Sequence, residues 1–260
     1  MKHKHLHLII LALGTLLAAL TRFWNRSAAV DNHALFVSSH PSIAVLVVLS
    51  LLFVLAFLVL SIRSPGRSPE HQILTYSPIQ AVLALASALL TALAALSMLP
   101  GSNSTFTLIL TVLGLGAALC MARISRLRLR GKSVPGFELL PIGYLLIKLI
   151  FNFKSWSTDP IILDYCCMLF ALIFSLLAFY GIAGFCFDQG KPRKTLFCAS
   201  CGIFFSAMAA VDGIMTGSLS AVLSYLGFIL WLWPSVSCLL HPHKAPSKPE
   251  PGTSPEKTNE

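Results

Sequence analysis

The chain has 260 residues, 56% of them hydrophobic and only 11% charged, with a net charge of +9. A soluble domain carries roughly 25% charged residues, so this chain cannot wrap a core in a hydrated surface, and lipid is its solvent. The positive excess does not read as a nucleic-acid surface, because the cations fall in short turns between apolar stretches and not on one folded face.

In chain order, eight stretches approach the roughly 20 apolar residues that a bilayer-spanning helix requires: 6–20, 41–62, 76–99, 105–122, 137–153, 161–187, 195–215 and 219–240. The expected fold is all-α, a polytopic helix bundle with a single transmembrane domain over 1–240. The first stretch follows Met1-Lys2-His3-Lys4-His5, which opens like a signal peptide. The small-residue cleavage pattern at Ser27-Ala28-Ala29 is weak, so an uncleaved first helix is expected. After His241 the chain turns to Pro, Ser, Lys and Glu, which predicts a disordered cytoplasmic tail over 241–260.

Orientation follows from the cations. With the N-terminus inside and eight crossings, the outer side receives only Arg22, Arg26 and Lys154, Lys148 is embedded, and the rest of the 19 Lys and Arg face the cytoplasm. That skew predicts both termini inside and a plasma-membrane location. Phe23, Trp24 and Trp156 fall where an outer interface is expected, and Trp231 and Trp233 near an inner one.

The basic turn 123–132 separates two sets of four spans, 1–122 and 133–240. The halves share an aromatic-basic outer turn (Phe23-Trp24-Asn25-Arg26 and Phe153-Lys154-Ser155-Trp156) and a following span opened by Pro41 or Pro160. A parallel 4+4 pseudo-repeat and chance similarity among Leu/Ala-rich helices both fit. Small residues recur at Ala81, Ala84, Ala88, Thr91 and Ala95, and at Gly202, Ser206, Ala209 and Gly213. Such rows let helix backbones approach closely, which predicts central third and seventh helices.

Charge inside a span costs about 2.5–3.5 kcal/mol at mid-bilayer on insertion scales, so each such residue needs a reason. Within the eight stretches the acidic and basic residues are Glu138, Lys148, Asp164 and Asp212. Lys148, Asp164 and Asp212 all fall within roughly 8 Å of the outer interface at 1.5 Å per residue. One ammonium facing two carboxylates, with Asn152 one turn after Lys148 and Tyr165 after Asp164, makes a candidate solute site. A cationic Lys148 favours a small anionic solute, and a carboxylate in apolar surroundings is a candidate proton carrier. Competing readings remain: Lys148 extends its stem to headgroups, Asp164 serves a helix N-terminus, or the cluster meets another subunit. Asp31, His33, His40 and Asp159 fall in outer loops that would flank an entrance.

Seven cysteines lie in or beside apolar spans and read as small buried hydrophobes, Cys198 and Cys201 included. His3, His5 and His7, like His241 and His243, read as solvated ends. No His-Glu-x-x-His pair, Walker loop, Gly-x-Ser-x-Gly elbow or dinucleotide fingerprint occurs, so neither an enzyme nor a cofactor or metal is expected. The remaining expectations are a small-solute permease or transport subunit, and alternatively a non-catalytic scaffold, assembly or sensor subunit with a membrane-protein partner.

Overall fold

A computed structural model describes residues 2–28, 41–64, 74–99, 105–132, 136–156, 162–187 and 189–241. The described residues form eight α-helices: α1 (Lys2–Ala28), α2 (Pro41–Arg63), α3 (Pro78–Leu96), α4 (Thr105–Leu129), α5 (Leu139–Trp156), α6 (Ile162–Gly184), α7 (Pro192–Met215) and α8 (Leu219–Leu240). A 3-10 turn, Phe185–Phe187, extends α6. Among the described residues, seven are long and apolar enough to cross a membrane. The exception is α5, whose 18 residues include Lys148, Asn152 and Lys154. At 1.5 Å per residue it reaches about 27 Å, slightly short of a hydrocarbon core of about 30 Å. The tail over 241–260 lies outside the described residues apart from His241, as do Asp31, His33, His40 and Asp159.

Local chemistry sets the helix ends. Ser77 caps α3 in a reciprocal box with Gln80, and Pro78 opens its first turn. At the end of α7, Gly217 takes φ +67°. The Ser218 amide then reaches back to Gly213 O at 2.9 Å and the Gly217 amide to Ile214 O at 3.2 Å. This glycine-closed end reverses the chain at once, so α8 starts directly beside the last turn of α7.

Helices α3 to α8 form a closed ring in which each packs on the next and α8 returns to α3. The α1–α2 hairpin sits outside the ring, against α7. That makes α7 the most enclosed helix, and the row Gly202, Ser206, Ala209 and Gly213 is buried. In α3 the predicted small row is also buried, but Ile79, Val82, Leu89 and Leu93 on its other side are exposed. The second enclosed helix is instead α8. It is fastened to α3 by Ser87 Oγ donating to Gly227 O at 2.7 Å, an approach that Gly227 permits. The packing is unequal between the halves: α6 lies along α7, and no comparable α2–α3 interface exists among the described residues.

Three expectations change. Residues 123–129 are not a turn but the last two turns of α4. Their inward face continues the stripe Met121, Ile124, Ser125, Arg128, so tertiary contact holds the helix beyond its apolar window. Likewise α1 runs through Arg22 and Arg26 to Ala28. Trp231 is fully buried, not interfacial, because it faces the ring interior from α8.

Candidate functional site

Two buried polar layers lie at opposite ends of the bundle. The first is at the end where α1, α5 and α7 finish and α2, α6 and α8 begin. In α1, residues His7, Leu11, Gly14, Ala18, Arg22 and Asn25 form one buried stripe at helical spacing. The stripe carries Arg22 and, one turn on, Arg26 to α7, where Asp212 is completely buried. Both Nε atoms donate to Asp212 Oδ1 at 2.8 Å. Arg22 Nη1 also donates to Asn25 Oδ1 at 3.1 Å, and Asn25 Nδ2 to Ser42 Oγ at 3.0 Å, which ties in α2. Asp212 Oδ2 is buried and receives no hydrogen bond.

Lys148 reaches the same end from α5. Its face, Glu138, Pro141, Tyr144, Lys148, repeats at three and four residues and points inward. The ammonium is buried. It donates to Ser224 Oγ on α8 at 2.5 Å and to the Tyr144 hydroxyl at 3.4 Å. The Tyr144 and Phe228 rings lie 5.6 and 5.7 Å from it. Ring faces and hydroxyls thus solvate this cation, and among the described residues it meets no carboxylate.

The predicted cluster is therefore divided. Lys148 and Asp212 do occupy one end of the bundle, but they do not pair. Asp212 takes its cations from α1, whose arginines were expected in an outer turn. Asp164 belongs to the first turn of α6, and its side chain lies outside the described residues. Asn152 is half-buried one turn beyond Lys148, and Tyr165 is half-buried at the start of α6. Asp212 is not an isolated carboxylate in hydrocarbon, which was the basis for reading it as a proton carrier.

The second layer, at the opposite end, was not foreseen. Arg128 Nη2 donates to Glu138 Oε1 at 2.5 Å and Nη1 to the Tyr76 hydroxyl at 2.6 Å. Tyr76 shares a further hydrogen bond with Ser235 Oγ on α8, at 3.2 Å. Burial raises the Tyr76 phenol above its ordinary pKa, against the opposing pull of the Arg128 charge. The guanidinium also lies over the Tyr76 and Trp231 rings, at 5.2 and 5.8 Å. Here every charge is matched, which suits a structural clasp. His7 belongs to the same end. It is buried against Ser200 Oγ at 2.9 Å, not solvated as its place near the N-terminus suggested.

Between the layers the ring interior is filled with aromatic side chains. Phe179 meets Phe228 edge-on at 6.4 Å and stacks on Trp231 at 5.8 Å. A groove of about 550 Å³ between α4 and α5 is lined by apolar residues such as Leu108, Val112 and Leu140, as expected of a surface facing acyl chains. Among the described residues no group of His, Cys, Asp and Glu has metal-ligand geometry, and no disulfide joins the described cysteines.

No protein-family model, curated protein or solved structure matches the chain. What the site can do rests on its own chemistry.

Proposed function

We propose that this multi-pass membrane protein binds a small anionic solute at Lys148 and acts as a permease or a transport subunit in the plasma membrane, with both termini cytoplasmic. One observation carries the reading: a buried ammonium inside a ring of six helices, with hydroxyls and ring faces around it and, among the described residues, no carboxylate beside it. A buried cation normally has a paired anion. Ring faces return only about 2 kcal/mol each to a desolvated cation, so an incoming anion finds a strong, unneutralised partner.

The second reading, a non-catalytic scaffold or sensor subunit, draws support from the aromatic packing of Phe179, Phe228 and Trp231 across the ring interior. Flux separates the two. Proteoliposomes of the purified chain, with both orientations allowed, should take up a labelled short carboxylate faster than empty vesicles, and Lys148→Gln should return uptake to background. Binding without uptake would favour the sensor.

A further inference from the structure

The layer that holds Lys148 continues across the α7–α8 contact to Asp212. A Cβ on Gly213, the next residue, would lie 3.0 Å from the Val222 backbone nitrogen, so the two helices touch there. Ser224, the partner of Lys148, is two residues further, about 3 Å along the axis of α8. Tyr225 follows, buried and within electrostatic range of both Asp212 and Tyr144.

Two complementary shortfalls lie at this end of the bundle. Among the described residues the Lys148 ammonium has no anion beside it. Asp212 Oδ2 is buried and has no donor, although Oδ1 beside it holds two. Buried carboxylate oxygens are almost always hydrogen-bonded, and one left bare carries a full desolvation penalty. A simple anion would correct only the first shortfall.

We propose that the solute is a small carboxylate carrying its own hydrogen-bond donor, a hydroxyl or an ammonium, with its carboxylate on Lys148 and its donor on Asp212 Oδ2. This rests on the anion-binding reading of Lys148 and narrows it to a substrate class. A site built to bond a donor discriminates strongly against the analogue that lacks one, because its own polar atom is left unpaired.

The test uses the full chain purified in detergent and two probe series on common skeletons: propionate, lactate and alanine; butyrate, 3-hydroxybutyrate and 3-aminobutyrate. At least one donor-bearing acid should bind about 10- to 100-fold more tightly than its plain parent, the effect of one well-made hydrogen bond to a charged group. Asp212→Asn, which turns the bare oxygen into an amide, should remove that preference, so that the donor-bearing and plain acids bind this variant alike. Equal affinity across both series in the unaltered chain overturns the donor assignment and leaves the anion reading standing. No binding of any carboxylate, or binding unchanged in Lys148→Gln, overturns the anion reading and this inference with it. If Asp212→Asn does not fold, the probe series in the unaltered chain decides alone.

Discussion

At the residue scale, Asp212 and Lys148 represent two ways of burying charge. Asp212 gathers two guanidinium groups on one oxygen. Its replacement by Ala would take a buried carboxylate from both guanidinium groups, at a cost of about 3–5 kcal/mol. The melting temperature of the purified Asp212→Ala protein should drop accordingly, and a shift near zero would show that the two pairs add little to stability. Lys148 has the opposite balance. With no counter-charge among the described residues, Lys148→Met should leave thermal stability unchanged or raise it, since an apolar residue of similar length replaces a buried ammonium. The same variant should lose its thermal response to carboxylates. Marked destabilisation of Lys148→Met would instead identify the ammonium as a structural tie between α5 and α8. The embedded Lys148 and Asp212 were legible in the sequence because a charge in an apolar run stands out. Their partners were not. Arg22 and Arg26 follow the apolar window, and only the extension of the α1 stripe through His7, Leu11, Gly14 and Ala18 points them inward.

At the element scale, helix contacts depend on where glycine allows close approach. Gly213 brings α7 onto α8, with an added Cβ 2.9 Å from Val222 Cγ2 and 3.0 Å from the Val222 nitrogen. The second neighbour is backbone and cannot rotate away. Gly213→Ala should therefore part the helices and cost about 1–3 kcal/mol, measurable by denaturant or thermal unfolding in detergent. Gly143 on α5 is the control: a Cβ there meets nothing within 4 Å, so Gly143→Ala should be neutral or stabilising by up to about 1 kcal/mol through helix propensity. The Arg128–Glu138 clasp joins α4 to the turn that leads into α5 and, through Tyr76 just ahead of α3, to Ser235 on α8. Glu138→Leu alone should destabilise by about 3 kcal/mol or more, and the double change Arg128→Leu with Glu138→Leu should recover most of that loss. Additive losses would mean that the two charges act independently. Element positions were largely readable, 219–240 to the residue, because long apolar windows define them. The ends of α1 and α4 were not, since a window that stops at the first arginine ignores the periodicity continuing beneath it.

At the scale of the whole molecule, the ring of α3 to α8 with an outlying α1–α2 hairpin was not legible. Apolar composition gives the number of helices but not their neighbours, and Leu/Ala-rich surfaces pack acceptably on many partners. The cation skew nevertheless makes a global prediction. A fluorescent protein fused after Glu260 should fold and fluoresce in cells, and a periplasm-dependent phosphatase fused there should stay inactive; the reverse pattern would invert the assigned orientation. The seven strongly apolar helices tolerate either outcome, so the measurement bears on topology and leaves the bundle unchanged.

Trp231 gives the protein a built-in optical gauge. Its buried indole lies against the Phe179 ring and the Arg128 guanidinium, and among the described residues its ring nitrogen has no acceptor. Were the aromatic stack to part and let a solute pass from one polar end to the other, this chromophore would become wet, a change read most cleanly with Trp24, Trp156 and Trp233 replaced by Phe. Its emission would then move to longer wavelength, while a chain that only holds its ligand at Lys148 would keep a blue, unquenched indole throughout.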